Sequence, residues 1–543
     1  MKRTLVLALL AVTALPIALP LRAEEPVDLA MMTRIRDEGL HHSQVMETLF
    51  HLTDLIGPRL TGSPQAKQAN EWTRDQFTRW GLASAHLEGY PFGRGWSFSS
   101  CQVRLTSPRT AVLHAYPKAW TPGTNGAVRG PVMRAKIESE KDLDQYRGKV
   151  AGKILLLYDS REFKQPEDPQ FQRYSREELD KLADFDVDVR DRDWRKAAVE
   201  RYRLRKAINE FLEKEKALAT VEPSGRVNGV VRVSQGGSWT PGESVGVPAV
   251  VMAAEHYNEL IRLVEHGQPV ELELDVAARF LDEDPQAYDT VAEIPGTDKK
   301  DELVMAGAHL DSWHAGTGAT DNAAGSAVVM EAARILKALG VKPRRTIRVA
   351  LWTGEEQGFY GSAAYVKKHF ASRPENRDPA QQDVPERYRE ETWPLQLKPE
   401  HAKVAAYFNL DNGTGKVRGI YSEESSAVRP IFQAWLAPFA DLGATTVTMR
   451  TTGGTDHVQF DRVGLPGFQF IQDEMDYETR THHTDLDTYD HLQEQDLRQA
   501  SVLMAAFLYD AAMRPEPLPR KPLPHEPPKK QKETAEGKKE TTP

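Results

Sequence analysis

Apolar residues recur along this chain with two different spacings, and the changes between them mark out its organisation. Residues 31–81 carry helical spacing, interrupted by the run Gly57-Pro58-Arg59-Leu60-Thr61-Gly62-Ser63-Pro64, which is dense in turn residues. Residues 65–80 then read as an amphipathic helix, and 85–113 alternates as strands do. From 126 to 279 the texture changes to short apolar strands at 150–158, 229–233 and 247–251. Between the first two lies a highly charged stretch, 159–216. There Ser175-Arg176-Glu177-Glu178 fits a capping box, and Ala198, Tyr202, Ile208 and Leu212 keep helical spacing. This reads as a separate inserted domain, 126–279, with a charged helical excursion, 159–216, whose charge is most simply a water-facing surface. Residues 289–510 return to strand and helix in alternation: strands at 290–294, 303–309, 345–352, 403–410 and 467–471, and a helix at 321–339. Such alternation predicts an α/β layered domain.

The ends of the chain read differently. Residues 1–23 pair a basic start, Met1-Lys2-Arg3, with an almost unbroken apolar run and a small residue, Ala23, at a plausible cut. That is the form of a secretory signal peptide, and Pro16 and Pro20 argue against a membrane anchor. No cysteine follows the run, which argues against a lipid anchor, and no later stretch is apolar for long enough to span a bilayer. The export route, to periplasm or medium, is open. At the other end, 514–543 is Pro, Lys and Glu with hardly an apolar residue and predicts a disordered tail. The 543 residues exceed one ordinary domain. A net charge of −9, with no basic stripe interleaved with aromatics, argues against a nucleic-acid partner. Cys101 is the one cysteine, so no internal disulfide can form, and it has no histidine motif beside it.

Candidate chemistry sits at strand ends. The apolar run 304–308 delivers His309 and Asp311, which the two-residue strand period points the same way. The small-residue run 316–326 carries Asp321 and Asn322 into a helix. Glu355 and Glu356 stand back to back in a glycine-flanked turn after the 347–352 strand. Asp411 closes another strand, and His482 and His483 lie in a loop before the last helix. Taken singly each has an ordinary explanation, as a helix cap, an exposed turn or a polar loop. Together they place five imidazole or carboxylate sites at the edge where open α/β sheets build their sites. Imidazoles and carboxylates without thiolates suit zinc, with cobalt or manganese as substitutes.

The order His-x-Asp, Asp-Asn, Glu-Glu, Asp after a strand, then His-Thr-x-x-Asp resembles that of the clan MH di-zinc exopeptidases. The supporting segments are GPRLTGS, AHLDSWHAGTGATDNAAG, RRTIRVALWTGEEQG, GGTDHVQF and THHTDLDT, and the nearest likeness is to the carboxypeptidase Q branch. The resemblance implies a three-layer αβα domain with a mixed central sheet, built from 24–125 and 280–513. It also implies an inserted protease-associated domain, mainly β with helices, at 126–279. It implies two Zn2+: His309 and Asp411 on one, Glu356 and His483 on the other, Asp321 bridging both. Glu355 would be the general base and Asp311 the partner that orients His309. The peptide after Asp321 is expected to be cis. The ligand is expected just before Thr, which favours His483 over His482; Asp487 fits a trailing structural acid, and His314, His457 and His491 carry no ligand spacing. The implied activity is hydrolysis of dipeptides or short peptides, of aminopeptidase or carboxypeptidase type, and relatives suggest a homodimer. Two alternatives stay open: a non-catalytic receptor of the same fold, and a single-zinc glutaminyl-cyclase-like acyltransferase.

Overall fold

The computed structural model describes residues 25–164, 167–186 and 194–527. The expected signal peptide, and the tail beyond 527, lie outside the described residues. Two eight-stranded sheets organise the chain.

In the first sheet the strands run Ala83–Pro91, Gln286–Ile294, Arg345–Trp352, Lys299–His309, Val404–Asn409, Gly467–Gln472, Val417–Tyr421 and Thr446–Thr448. The four central strands are parallel, so their C-terminal ends, at Trp352, His309, Asn409 and Gln472, lie along one edge. The outer strands pair antiparallel or mixed, giving a mixed central sheet. The period of two is visible in the Lys299–His309 strand. Val304, Ala306 and Ala308 pack under the helices Ala324–Ala338 and Glu494–Met513. Leu303 and Met305 pack on the opposite face with Trp352, Tyr365, Phe370, Tyr407 and Phe460. Helices therefore cover both faces, and the domain is a three-layer αβα sandwich. Residues 324–336 are buried all round, as a helix held between a sheet and other helices must be.

The second sheet runs Ala111–Leu113, Gly95–Ser107, Glu271–Leu281, Val128–Arg134, Ile154–Leu156, Ala219–Pro223, Ala249–Met252 and Ala115–Pro117. It begins at Gly95, well before the expected boundary at 126, because strand 95–107 pairs along its length with 271–281. Alternation identified those strands, but pairing is a non-local choice that alternation does not encode. The 229–233 segment is not a strand; it makes one isolated bridge, Arg232 to Thr484 of the first domain. The charged excursion is also more than a wet surface. Its capped helix Arg176–Ala183 starts where expected. The stretch before it is bound to the first domain, with Arg173 Nη1 2.9 Å from Asp473 and 2.7 Å from Asp496. The residues 514–527 likewise depart from the expected disorder. Leu518 is buried, and the Arg520 guanidinium donates to the carbonyls of His401, Ala402 and Val404. A few well-placed side chains anchor a segment whose composition is too polar to build a core.

Candidate metal centre

The parallel edge of the first sheet delivers the chemistry. His309 is the last residue of its strand and is buried. Its Nε2 lies 3.2 Å from Asp321 Oδ1 and 3.2 Å from Asp411 Oδ1. Its Nδ1 is 3.0 Å from the backbone carbonyl of Asp311 and 3.5 Å from the Asp311 carboxylate. Asp321 sits in a turn, 319–323, entered through Gly318 in the left-handed region, and the Asp321–Asn322 peptide is cis. Asp487 accepts from the amides of Thr320 and Asp321, at 2.6 and 3.1 Å, and so fixes that turn from the far end of the sequence.

The second half of the cluster faces the other oxygen of Asp321. His483 Nε2 lies 3.3 Å from Asp321 Oδ2 and 2.9 Å from Glu356 Oε2. His482 is farther off, at 4.0 Å from Asp321, with its ring stacked on Tyr477 and its Nδ1 3.3 Å from Glu478. Both histidines can reach one ion together with Asp321, but only His483 also meets Glu356. Glu355 turns into the same cleft, its Oε2 4.0 Å from His309 Nε2. The turn is closed by the Glu355 carbonyl, which accepts from Gly358 and Phe359. His314 is buried among aromatic rings and bonds the Pro117 carbonyl, His457 contacts Thr452 and Glu423, and His491 pairs with Asp476. None of the three joins the cluster.

Electrostatics show what this arrangement suits. Burial, reinforced by Asp411, Asp456 and Glu356 against the pull of His309, pushes Glu355 well above the usual carboxylate range. Burial and then Asp321 do the same to Glu356. Burial would raise Asp321 too, but His309 and His483 hold it below its ordinary value. The imidazoles diverge: the carboxylates around His309 outweigh its burial and raise it, whereas burial takes His483 down to about 4. Asp321 Oδ2 and Glu356 Oε1 are buried without a hydrogen-bond partner. Buried, unpartnered carboxylate oxygens beside imidazole nitrogens need cations to be stable as anions. The donor set is all nitrogen and oxygen, which fits zinc and disfavours soft ions. Asp321, with one oxygen toward each imidazole, fits a position between two ions.

Two acids behind the cluster carry more than their sequence suggests: Asp289 has no motif, and Asp456, in a glycine turn, reads as a helix cap but makes no side-chain cap bond. Both are buried, and burial raises both; Asp456, opposed by His309 and Ser362, stands at about 7. A lone acid in a strand or a glycine turn carries no local signal of burial. The cleft over these groups has a volume of about 1350 Å³. Trp194 and Arg195, which open the inserted helix Trp194–Lys214, form part of its wall.

Residues 289–508 match the model of Peptidase family M28. Carboxypeptidase Q of Mus musculus is 25% identical over 485 residues, covering 89% of this chain and 88% of that protein. A peptidase M28 precursor from Shewanella amazonensis superposes with a TM-score of 0.64 at 23% identity, over 92% of this chain and 99% of the other. A zinc aminopeptidase from Bacillus subtilis superposes at 0.54 with 19% identity, over 90% and 96%.

Proposed function

From the match of residues 289–508 to peptidase family M28 and the likeness to carboxypeptidase Q over most of the chain, we propose that the chain is a member of that family and an exported di-zinc exopeptidase acting on dipeptides or short peptides. The observation that carries the reading is Asp321, whose two oxygens face His309 and His483 at 3.2 and 3.3 Å. In this reading His309 and Asp411 would hold one zinc, Glu356 and His483 the other, and Asp321 would serve both. Cobalt or manganese would suit the same donors. When bound, the two ions supply Lewis acidity, acidifying water and stabilising negative charge on the scissile carbonyl oxygen.

The chain's own residues divide the remaining work. Glu355 takes the proton of the attacking water as the O–C bond forms. It then delivers that proton to the amide nitrogen as the C–N bond breaks, leaving a free amine and a carboxylate. Glu356 stays ionised as a ligand. Asp311 orients His309 through the contacts its carbonyl and carboxylate make with Nδ1. Export is proposed from residues 1–23; among the described residues no helix is long and apolar enough to cross a membrane.

Glu355→Gln tests the reading. It should cut kcat by about 10²–10⁴-fold while two zinc ions per chain remain bound. Wild-type turnover in that variant would end the assignment of the base. A stoichiometry of one zinc in the native chain would favour the cyclase-like alternative, and activity on a free dipeptide excludes a receptor. Running the dipeptides with either terminus blocked shows which end is read.

A further inference from the structure

The segment Gly57-Pro58-Arg59-Leu60-Thr61-Gly62-Ser63 holds none of the donors described above, yet it touches both loops that carry them. Arg59 is fully buried. Its Nε donates to the Leu310 carbonyl at 2.7 Å, and its Nη1 to those of Leu52, Gly57 and Thr317 at 3.1, 3.0 and 2.7 Å. Its Nη2 donates to the Gly318 carbonyl at 2.7 Å. Its backbone pairs with Ser312 in both directions: Arg59 N donates to Ser312 Oγ, and Ser312 N to the Arg59 carbonyl. The guanidinium thus grips residues 310, 317 and 318, the two ends of the excursion that separates His309 from Asp321. Gly318 is required there, since a Cβ would stand 2.3 Å from that of Ser312 and 2.9 Å from Arg59 Nη2.

Thr61, two residues on and also fully buried, ties the second loop to the first. Its hydroxyl donates to Asp311 Oδ2 at 2.8 Å and accepts from the Gly354 amide at 3.0 Å. Asp311 is the neighbour of His309, and Gly354 opens the turn that carries Glu355 and Glu356. Every hydrogen bond of the Arg59 side chain goes to a backbone carbonyl. Its charge lies in the field of Asp487, Asp311, Asp321 and Glu356, which keeps a cation there favourable although burial lowers its pKa to about 10. A planar guanidinium fork with fixed donors suits this task; a lysine ammonium would bring a mobile point charge and at most three donors.

We propose that Arg59 and Thr61 are positioning residues of the metal centre: Arg59 sets the His309–Asp321 spacing, and Thr61 couples His309, through Asp311, to the turn bearing Glu355 and Glu356. This rests on the di-zinc peptidase reading above. The test uses the full chain with Thr61→Val, Thr61→Ser and Arg59→Lys, and measures three things: kcat and KM on a dipeptide, zinc affinity by calorimetric titration of metal-free protein, and thermal midpoint. Thr61→Val should fold with a thermal midpoint close to wild type and lose about 10–100-fold in kcat with little change in KM. Thr61→Ser, which keeps the hydroxyl, should recover most of that loss. Arg59→Lys should weaken zinc binding by about 10–100-fold. Wild-type kcat in Thr61→Val overturns the proposal, as does a fall in thermal midpoint with kcat per folded molecule unchanged. If Arg59→Lys fails to fold, the Thr61 pair decides alone. If the wild type hydrolyses no peptide, the peptidase reading falls instead, and zinc affinity of the Thr61 variants still decides the positioning role.

Discussion

The two eight-stranded sheets have equal strand counts and unequal parts in the site. The first brings four parallel strands to one edge and sets His309, Glu355, Glu356 and Asp411 at or just past their ends. Among the described residues the second reaches the loop of His483 through residues 231–233 and through His114. Val233 N donates to the His483 carbonyl at 3.0 Å. Val231 N donates to Asp485 Oδ1 at 2.9 Å, the Asp485 amide returns a bond to Val231 at 3.1 Å, and His114 Nε2 meets Asp485 Oδ2 at 2.6 Å. Arg232 Nη2 lies 3.3 Å from His483 Nδ1. Both valines are buried, packed with Val251, Ala253, Tyr116 and Trp313. His483 itself has φ +64°, in the left-handed region that a side chain disfavours, so its loop gains from an outside restraint. Strand ends place donors by the geometry of the sheet; a loop at the end of the chain has to be held. The second sheet and its 231–233 loop matter to the centre through what they keep still.

That comparison can be broken from either side. The largest effect should come from Asp321, proposed to serve both ions and held in its turn by Asp487. Asp321→Ala should abolish turnover and reduce zinc below one ion per chain by metal analysis, and full occupancy would show that the carboxylate is dispensable. Glu356→Ala should be milder, losing one zinc and keeping the other. Smaller again, Asp485→Ala removes the carboxylate's bonds to the Val231 amide and to His114 while the backbone bonds stay. A two-step zinc titration should show one affinity down by about tenfold and the other unchanged; equal weakening of both steps would mean that the inserted domain acts on the whole fold.

The smallest effect concerns pH. The hydrogen bond to Asp485 raises the pKa of His114, with burial opposing. A raised folded pKa means that the contribution is complete below the unfolded value of about 6.5 and is lost as pH rises through the folded value. With the His114 side chain open to solvent, it should not exceed about 1 kcal/mol. The gap in thermal midpoint between wild type and His114→Gln should therefore narrow from pH 6 to pH 9, and a gap that widens would contradict the assigned sign.

Much of this was legible before folding. The strand at 345–352 and the helix after Asp321 fall where apolar spacing puts them. The donor residues occur in an order and strand context that single out a metal chemistry. What escaped has common physical causes. The 229–233 run is apolar like a short strand, but the bridge it makes is to a loop from the far end of the chain. GPRLTGS was conspicuous as a turn, while the five carbonyls that Arg59 bonds come from residues 52–57 and 310–318. Asp289 and Asp456 look like any surface acid until the fold buries them.

The sequence by itself determined the kinds of donor, their order and the elements that carry them, because local spacing reports which face of a strand or helix is buried. Only the tertiary structure decided which sheet each strand joins, that both oxygens of Asp321 face imidazoles, and that a buried arginine and a loop of the inserted domain hold the two ends of the cluster. Most of those are relations between residues more than a hundred positions apart, and no local pattern of polarity encodes the partner across such a distance.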